Sequence, residues 1–178
     1  MVSWPRIARR SRVPLGFAVT ALYLWLAKPL AISLLVGAVF IIPGLMIRAL
    51  ASGYVQKNEQ LATTGPYAYT RNPLYLGSFI MALGFVFAAR SWWIVAILTV
   101  MLVTIYMPVI RAEEAFLAQH FPEFADYARR VPRMLPTLAP PGKRRGEFSW
   151  DLYKKHREYN ATLGVVAIMA ALIIKLLW

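Results

Sequence analysis

A short polar segment lies between two strongly apolar stretches of this chain, and its residue types are those that bind charged or polar ligands. Residues 64–77 read Thr-Gly-Pro-Tyr-Ala-Tyr-Thr-Arg-Asn-Pro-Leu-Tyr-Leu-Gly. The prolines and glycines set the backbone, while the tyrosines, the arginine and the asparagine supply hydrogen-bonding groups. A second polar cluster, Arg111-Ala112-Glu113-Glu114, ends a later apolar stretch. We predict that both clusters form one site at the edge of a membrane.

The adjacent carboxylates Glu113 and Glu114 carry the clearest chemical signal, because they repel each other and oppose the negative end of a helix dipole. One interpretation is a solvated pair at the membrane interface beside Arg111, with Tyr67 and Tyr75 as interfacial aromatic residues. The functional interpretation is a pair that binds a cation or polar hydroxyl groups. The combination of the two clusters favours the functional interpretation.

The composition indicates a membrane protein. Of the 178 residues 59% are hydrophobic and 16% are charged, and the mean hydropathy is +0.52. The net charge of +12 suggests nucleic acid or anionic lipid as a partner, but the charges lie at the ends of apolar stretches, so we expect no nucleic acid partner. The chain has no cysteine, which excludes disulfides, thiolate metal ligands and cysteine nucleophiles. We expect no metal site.

Five apolar stretches predict an all-α, polytopic membrane helical bundle of about five transmembrane helices. They are Val13–Ala27, Leu30–Leu50, Leu74–Ala89, Trp92–Ile110 and Thr162–Trp178. The second and fourth have the length that a bilayer requires, while the first and third are short. Lys28-Pro29 predicts a hairpin tip between the first two helices, and the alternative is one long helix kinked at Pro29.

The distribution of charge predicts an orientation. With the N-terminus in the cytoplasm, every lysine and arginine except Lys28, Arg90 and Lys175 lies on the cytoplasmic side, as the positive-inside rule requires. Both polar clusters then face the cytoplasm, where charged soluble cofactors are abundant. The membrane is the inner or plasma membrane if the protein is prokaryotic. The stretch Met1–Ala27 resembles a signal peptide but lacks a cleavage site, so we expect a retained first helix.

We divide the chain into an N-terminal transmembrane hairpin (1–52), a catalytic core with a cytoplasmic cofactor-binding segment (53–141), and a basic linker with a last transmembrane helix (142–178). After Arg111 the fourth helix should continue, break near Pro122 and resume as a short helix over Glu123–Arg130. The basic run Lys143–Arg157 is expected to contact anionic lipid headgroups. The last helix is interpreted as an anchor added after the site.

An ordered set of motifs spans roughly Arg48 to Pro136, about half of the chain. The motifs are Leu61-Ala62-Thr63-Thr64-Gly65-Pro66-Tyr67, Arg71-Asn72-Pro73-Leu74-Tyr75-Leu76-Gly77, Glu113-Glu114 with Leu117, Phe121-Pro122 with Tyr127, and Val131-Pro132-Arg133 with Pro136. This arrangement resembles the isoprenylcysteine carboxyl methyltransferases and the related phospholipid methyltransferases. The resemblance implies an integral membrane enzyme that uses S-adenosyl-L-methionine.

The resemblance also implies roles for individual residues. The segment from Glu59 onward would line the cofactor. The residues implied to bind it are Gln60, Leu61, Ala62, Tyr67, Asn72, Pro73, Leu74, Tyr75 and Glu113. The residues implied to act in catalysis are Arg71, Asn72, Arg111 and Glu114.

Two departures from the family pattern concern the methyl acceptor more than the cofactor. Asn72 replaces the usual histidine, and an asparagine can form hydrogen bonds but cannot titrate. Val109 stands where eukaryotic members place an arginine toward the substrate carboxylate, which leaves Arg111 as the nearest candidate. A dinucleotide-binding GxGxxG loop is absent from the sequence, so a soluble Rossmann methyltransferase is not expected.

The acceptor is expected to be a membrane lipid or a prenylated substrate that enters from the bilayer. A carboxylate or thiolate is already nucleophilic, whereas an amine requires a general base, and His120 and Glu114 are the only nearby candidates. We therefore favour an isoprenylcysteine-type carboxylate, with phosphatidylethanolamine or a thiol as alternatives. Two other classes stay open: an NADPH-dependent membrane reductase, which shares a similar Arg-Asn-Pro-x-Tyr element, and a non-enzymatic membrane adaptor.

Overall fold

The structure is a computed structural model that describes residues 4–55, 60–138 and 146–178, with side chains in the first helix from Pro14 onward. Three predictions concern positions outside this description. They are Glu59 beside the cofactor, the basic residues at 143–145 of the linker, and the side chains of the arginines at 6–12.

The described part of the chain is helical and contains no strand. Its elements are α1 (Trp4–Leu26), α2 (Ala31–Ser52), a 3₁₀ turn (Gly65–Ala68), α3 (Pro73–Ala89), α4 (Trp92–Met101), a π turn (Leu102–Tyr106), α5 (Met107–His120), α6 (Phe124–Arg130), α7 (Trp150–Lys155) and α8 (Tyr159–Leu177). Helices α4 and α5 and the π turn form one continuous helix, Trp92–His120.

The five predicted apolar stretches are all helices, which confirms the prediction of an all-α bundle. Ala31–Ser52, Trp92–His120 and Tyr159–Leu177 are long and apolar enough to cross a membrane, whereas Pro14–Leu26 and Pro73–Ala89 are shorter. The chain breaks between α1 and α2, so the alternative of one kinked helix is wrong. The break is held in place because the backbone N–H of Lys28 donates to the carbonyl of Ala89 at 2.9 Å.

Helices α2 and α3 pack most closely where glycines face each other. A Cβ added at Gly44 would lie 2.7 Å from the carbonyl oxygen of Gly77, and one added at Gly77 would lie 2.6 Å from that of Gly44. Gly37 and Gly84 form a second such pair. Small residues allow helix backbones to approach this closely in membranes. The contact accounts for the glycine that ends the polar segment 64–77.

The remaining long helices surround this pair. Helix α1 contacts α4, the π turn and α5, while α8 contacts α1 and α2. A buried apolar cluster joins α1, α2, α3, α4 and α8 away from the polar segments, and its members are Tyr23, Ala27, Leu34, Ala88, Ala89, Ile94 and Leu172. Near this cluster Lys175 of α8 donates to the last carbonyls of α1, at Leu24 and Trp25, so α8 is attached to α1 at that end.

Beyond the bundle the chain follows the predicted course. Helix α5 ends at His120, the chain turns at Pro122, and α6 covers Phe124–Arg130, as predicted. The segment before α7 returns to the end of α2, where the backbone N–H of Ser149 donates to the carbonyl of Gly53 at 3.0 Å. The aromatic ring of Phe148 lies directly against Gly53. The boundaries of the three proposed domains stay a prediction.

Candidate active site

A cavity of about 680 Å³ lies at one end of the bundle, where α2 ends, α3 begins, α5 continues past the apolar stretch and α8 begins. Its size is typical of a small-molecule site. Its lining residues within the described ranges are Arg48, Ser52, Val55, Gln60, Leu61, Ala62, Tyr67, Arg71, Asn72, Pro73, Leu74, Tyr75, Glu113, Glu114, Phe116, Leu117, Phe124, Tyr127, His156 and Glu158. The two polar clusters of the sequence therefore share one cavity.

Among the described residues, every predicted site residue lines this cavity except Arg111. The side chain of Arg111 is exposed and does not line the cavity. His120, considered as a base, is also exposed. Its ring stacks on Phe116 at 3.8 Å between centroids. The roles that the resemblance implies for the lining residues stay predictions.

Glu114 is the centre of a polar network that we call the Glu114 cluster, formed with the half-buried Arg71, the buried Asn72 and the exposed Arg133. Glu114 is 7% exposed. Its Oε1 accepts from Asn72 Nδ2 at 3.0 Å, and its Oε2 accepts from Arg133 Nε at 2.8 Å. Both carboxylate oxygens are thus engaged. The arrangement indicates that Glu114 holds its neighbours in place.

The amide nitrogen of Asn72 is also fully hydrogen-bonded. Its Nδ2 donates to Glu114 and, at 3.0 Å, to the carbonyl of Arg133, so both amide hydrogens are used. Only Oδ1 is left to face a ligand as an acceptor. This geometry favours a partner that donates a hydrogen bond, such as a hydroxyl or an ammonium group.

Arg71 provides a half-buried guanidinium on the same wall. Its buried Nε lies 3.4 Å from Glu114 Oε1, which is an ion-pair distance, but the atom has no hydrogen-bond partner among the described residues. We therefore regard the contact as a charge interaction without a formed hydrogen bond. One terminal nitrogen donates to the carbonyl of Ala128 at 3.3 Å. Together Arg71 and Arg133 bring two positive charges to the single carboxylate of Glu114, which leaves the cluster with a positive excess.

The proline-rich segment after α6 carries Arg133 to this cluster. The backbone N–H of Arg71 donates to the carbonyl of Pro132 at 2.9 Å, and that of Thr137 donates to the carbonyl of Tyr69 at 2.9 Å. The hydroxyl of Thr70 bridges to the carbonyls of Arg133 and Met134. The segment therefore runs alongside residues 69–72, which explains why the two motifs occur together.

Two tyrosines form the inner wall of the cavity. The hydroxyl of Tyr127 donates to the backbone carbonyl of Tyr67 at 2.7 Å. Burial raises the pKa of Tyr67, and the neighbouring Tyr127 and Glu113 raise it further. Burial is also the main cause that raises the pKa of Tyr127. Both hydroxyl groups are therefore neutral hydrogen-bonding groups near pH 7.

Glu113 differs sharply from its neighbour Glu114. It lines the cavity and is partly exposed. In the parts of the chain that the structure describes, it makes no ion pair, whereas Glu114 makes two. A carboxylate with no cationic partner in a cavity is suited to a cationic or hydroxyl-bearing ligand.

The opposite wall contains a second network, the Glu158 cluster, formed by Arg48, Ser78 and Glu158. Arg48 Nε donates to Glu158 Oε1 at 2.6 Å, and a terminal nitrogen donates to Ser78 Oγ. Beside it, His156 Nδ1 lies 3.1 Å from the carbonyl oxygen of Ser52. The sequence interpretation missed this wall and described α8 only as an anchor. The available signal was Arg48, a charge within an apolar helix, which often marks a functional position.

A second, apolar cavity of about 380 Å³ lies between α1, α3 and α4. Tyr106 and Phe79 line it, and the ring of Tyr106 contacts the ring of Tyr75 at 6.3 Å between centroids. Tyr75 in turn lines the polar cavity. The rings of Tyr75 and Tyr106 therefore lie between the polar cavity and the apolar cavity.

Comparison with known proteins gives matches of three kinds. A family model described as phospholipid methyltransferase matches residues 33–123, just over half of the chain. The cobalt-zinc-cadmium resistance protein CzcN of Cupriavidus metallidurans is 39% identical over 105 residues, which cover 59% of this chain and 47% of that protein. The nickel-cobalt-cadmium resistance protein NccN of Alcaligenes xylosoxydans xylosoxydans is 42% identical over 84 residues, or 47% of this chain and 39% of that protein.

A eukaryotic enzyme also matches. The protein-S-isoprenylcysteine O-methyltransferase of Schizosaccharomyces pombe is 32% identical over 83 residues, which cover 46% of this chain and 35% of that protein. The chain thus spans less than half the length of these curated relatives. No solved structure matches it.

Proposed function

The chain belongs to the phospholipid methyltransferase family, and from this premise we propose that it is an integral membrane enzyme that transfers a methyl group from S-adenosylmethionine to a lipophilic acceptor. The observation that carries the proposal is that the carboxylate of Glu113, which makes no ion pair within the described residues, lines the same cavity as the Glu114 cluster, in which two guanidinium groups accompany one carboxylate. A cavity that offers both a carboxylate and a cluster with a positive excess suits a ligand that carries both charges.

The residues present fit S-adenosylmethionine. The cofactor has an ammonium, a sulfonium and ribose hydroxyls, which match the carboxylate of Glu113 and the free Oδ1 of Asn72. Its carboxylate matches the guanidinium of Arg71. The cavity volume of about 680 Å³ is within the range of small-molecule sites. When bound, the cofactor supplies a methyl group that is already activated for displacement by its attachment to a positively charged sulfur.

The protein's own contribution is to position the reactants and to exclude water. Alignment of two reactants can supply roughly 7–11 kcal/mol in favourable cases. The buried rings of Tyr67, Phe124 and Tyr127 close the inner side of the cavity, and the two networks on its walls restrict Arg48 and Arg71. No titrating group needs to act on the methyl carbon itself.

The acceptor is proposed to approach from the bilayer through the apolar cavity. That cavity lies between helices with apolar outer surfaces and meets the polar cavity at Tyr75 and Tyr106. An isoprenylcysteine-type carboxylate, the substrate class in the name of the fission yeast relative, is one candidate. A phospholipid amine and a thiol are the others. Two relatives are named for metal resistance, but the described residues contain no group of three or more metal-ligating side chains, so we propose no metal site.

The orientation and the lipid contacts are part of the proposal. We place the cavity on the cytoplasmic side, and we assign anionic headgroups to the basic run, where Lys154 and Arg157 are exposed next to Trp150, which is 66% exposed. Because the chain has no cysteine, a single cysteine at Glu123 or at Ser91 reports one side of the membrane. Only the first should react with an impermeant thiol reagent in inside-out vesicles.

The decisive experiment is calorimetric titration of the detergent-solubilised protein with S-adenosylmethionine. We expect binding by the unaltered chain and a loss of at least tenfold in affinity for Glu113→Gln, since the variant removes the charge and keeps the shape. Glu123→Gln is the matched control, because Glu123 is exposed outside the cavity. Absence of binding by the intact, folded protein would overturn the proposal. Binding of NADPH in its place would support the reductase.

A further inference from the structure

We propose that His156 accepts the proton that the methyl acceptor releases, and that the acceptor is therefore a group bearing N–H or S–H at neutral pH, an amine or a thiol. This inference rests on the proposed function and adds a residue from outside the family-matched segment 33–123. It differs from the carboxylate acceptor that the sequence analysis favoured.

The first step is the position of the imidazole and its tautomer. His156 lines the cavity that contains Glu113, and its Nδ1 lies 3.1 Å from the backbone carbonyl oxygen of Ser52. A carbonyl oxygen only accepts hydrogen bonds, so Nδ1 carries the hydrogen. In the neutral ring Nε2 then has a free lone pair, which is what a proton acceptor requires.

The second step is that the other basic groups of the described cavity are occupied. Glu114 is bound by Asn72, Arg71 and Arg133, and Glu158 is bound by Arg48. Glu113 makes no ion pair within the described residues, but the cationic side of the proposed cofactor needs its charge. His120 is exposed and does not itself line the cavity, although its ring stacks on the lining residue Phe116. His156 is left as the group that can exchange a proton.

The third step is the set of charges around the ring. Arg48 faces the same cavity from α2, Glu113 faces it from α5, Tyr67 from the 3₁₀ turn, and Glu158 follows His156 along the chain. Arg48 and Glu158 form an ion pair with each other, and within the described residues His156 makes no ion pair. Its ring is half-buried, so water can reach it and carry the proton away.

The reaction balances with these groups. The acceptor's N–H or S–H bond breaks, and the proton moves to Nε2 of His156. The freed lone pair on nitrogen or sulfur forms a bond to the methyl carbon, and the carbon–sulfur bond of the donor breaks with its electron pair retained by sulfur. The imidazolium then returns its proton to water. No oxidant, reductant or metal ion is needed.

The test uses two replacements of His156 that separate proton transfer from structure. In His156→Asn the amide nitrogen takes the place of Nδ1 and keeps the bond to Ser52, but no proton acceptor remains. In His156→Gln the amide nitrogen reaches the place of Nε2 and the bond to Ser52 is lost. His120→Asn is the matched control, since His120 and His156 are the two histidines of the chain.

The full-length protein in proteoliposomes is given methyl-labelled S-adenosylmethionine and, separately, phosphatidylethanolamine, dodecanethiol or N-acetyl-S-farnesylcysteine. We expect turnover of the amine or the thiol, a fall of 10²- to 10⁴-fold in kcat for His156→Asn, and recovery with rising pH as the thiol ionises by itself. Calorimetry should show unchanged cofactor affinity for this variant. Nitrogen NMR of labelled histidine should show the Nδ1–H tautomer in the His120→Asn protein.

The outcomes separate the two proposals. Cofactor binding with turnover of the carboxylate probe alone would leave the proposed function standing and overturn the role of His156. Equal kcat for His156→Asn and the unaltered chain would overturn it too, as would loss of cofactor affinity in both variants. Failure of the unaltered protein to bind the cofactor would overturn the proposed function and, with it, this inference.

Discussion

The two walls of the cavity each place a buried carboxylate against a guanidinium, but they connect different parts of the chain. The Glu114 cluster joins α5 to the polar turn and the segment after α6, whereas the Glu158 cluster joins α2 and α3 to the start of α8. Glu114 accepts hydrogen bonds from Asn72 and Arg133 and lies beside the charge of Arg71, whereas Glu158 accepts from Arg48. The first network organises loops, and the second attaches a helix to the bundle.

This difference shows which parts of the site depend on which interactions. A loop has no long apolar face that could pack against the bundle. The turn at 69–72 therefore depends on several polar contacts, which converge on the carboxylate of Glu114. Helix α8 is mostly exposed along its length, and its contacts with the bundle include polar ones at both ends, through Glu158 and Lys175. Substitutions in the Glu114 cluster should therefore loosen the loops, whereas substitutions in the Glu158 cluster should weaken the attachment of α8.

The largest effect is expected from Glu114→Ala. The change removes a buried carboxylate that accepts from Asn72 and Arg133 and lies beside Arg71. Breaking a buried ion pair typically costs about 3–5 kcal/mol, and because Arg133 is exposed we expect the lower end of this range. The free energy of unfolding in detergent, measured by denaturant titration, should fall by about that amount. The adjacent Glu113→Gln should change it by less than about 0.5 kcal/mol. Equal stability of both variants would mean that the Glu114 cluster does not hold the turn.

A smaller effect is expected at the other wall. Arg48→Leu and Glu158→Leu should each cost about 1.5–3 kcal/mol, the value of a hydrogen bond between charged groups. The double variant should cost much less than the sum, because it leaves no unpaired charge. As a control, Asp126→Ala removes the exposed pair with Arg129 and should cost at most about 1 kcal/mol. Additive costs would show that Arg48 and Glu158 act independently.

Gly77→Val tests whether the two walls are separate. A Cβ at this position would lie 2.7 Å from Cγ of Arg48 and 2.6 Å from the carbonyl oxygen of Gly44, and overpacking typically costs about 1–3 kcal/mol. The added side chain should displace Arg48 from the Glu158 cluster and thereby lower the affinity for the cofactor. Gly164→Ala is the control, since nothing lies within 4 Å of a Cβ there. A crystal structure with Arg48 unmoved would contradict the prediction.

The smallest effect concerns the inner wall. Tyr127→Phe removes the donor to the carbonyl of Tyr67 and should cost about 0.5–1.5 kcal/mol. Since burial raises the pKa of Tyr127, its contribution is complete below the unfolded value near 10 and is lost as pH rises above it. Unfolding followed from pH 8 to 11 should therefore show a weaker alkaline decline in the variant. An identical decline would exclude Tyr127 as its source.

One of the two walls was predictable from the sequence and the other was not. The Glu114 wall was predictable because Arg71 and Asn72 directly precede α3 and Glu114 follows an apolar stretch, all within recognisable motifs, and the break at Pro122 follows from the chemistry of proline. The Glu158 wall was not, since Arg48 and Glu158 are 110 positions apart and each has the appearance of an ordinary interfacial charge. Arg111 is exposed and does not line the cavity, although it stands three residues before Glu114 on the same helix, and its role stays a prediction.

The π turn at Leu102–Tyr106 has one further consequence. Such a turn accommodates one residue more than the α-helix would, so the half of the helix that follows it is rotated by about 100° relative to an uninterrupted helix. Deleting a single residue there would swing Glu113 and Glu114 together out of the cavity while leaving the membrane span intact. A one-codon insertion is thus a sufficient evolutionary route from a plain spanning helix to one that presents acids to a ligand.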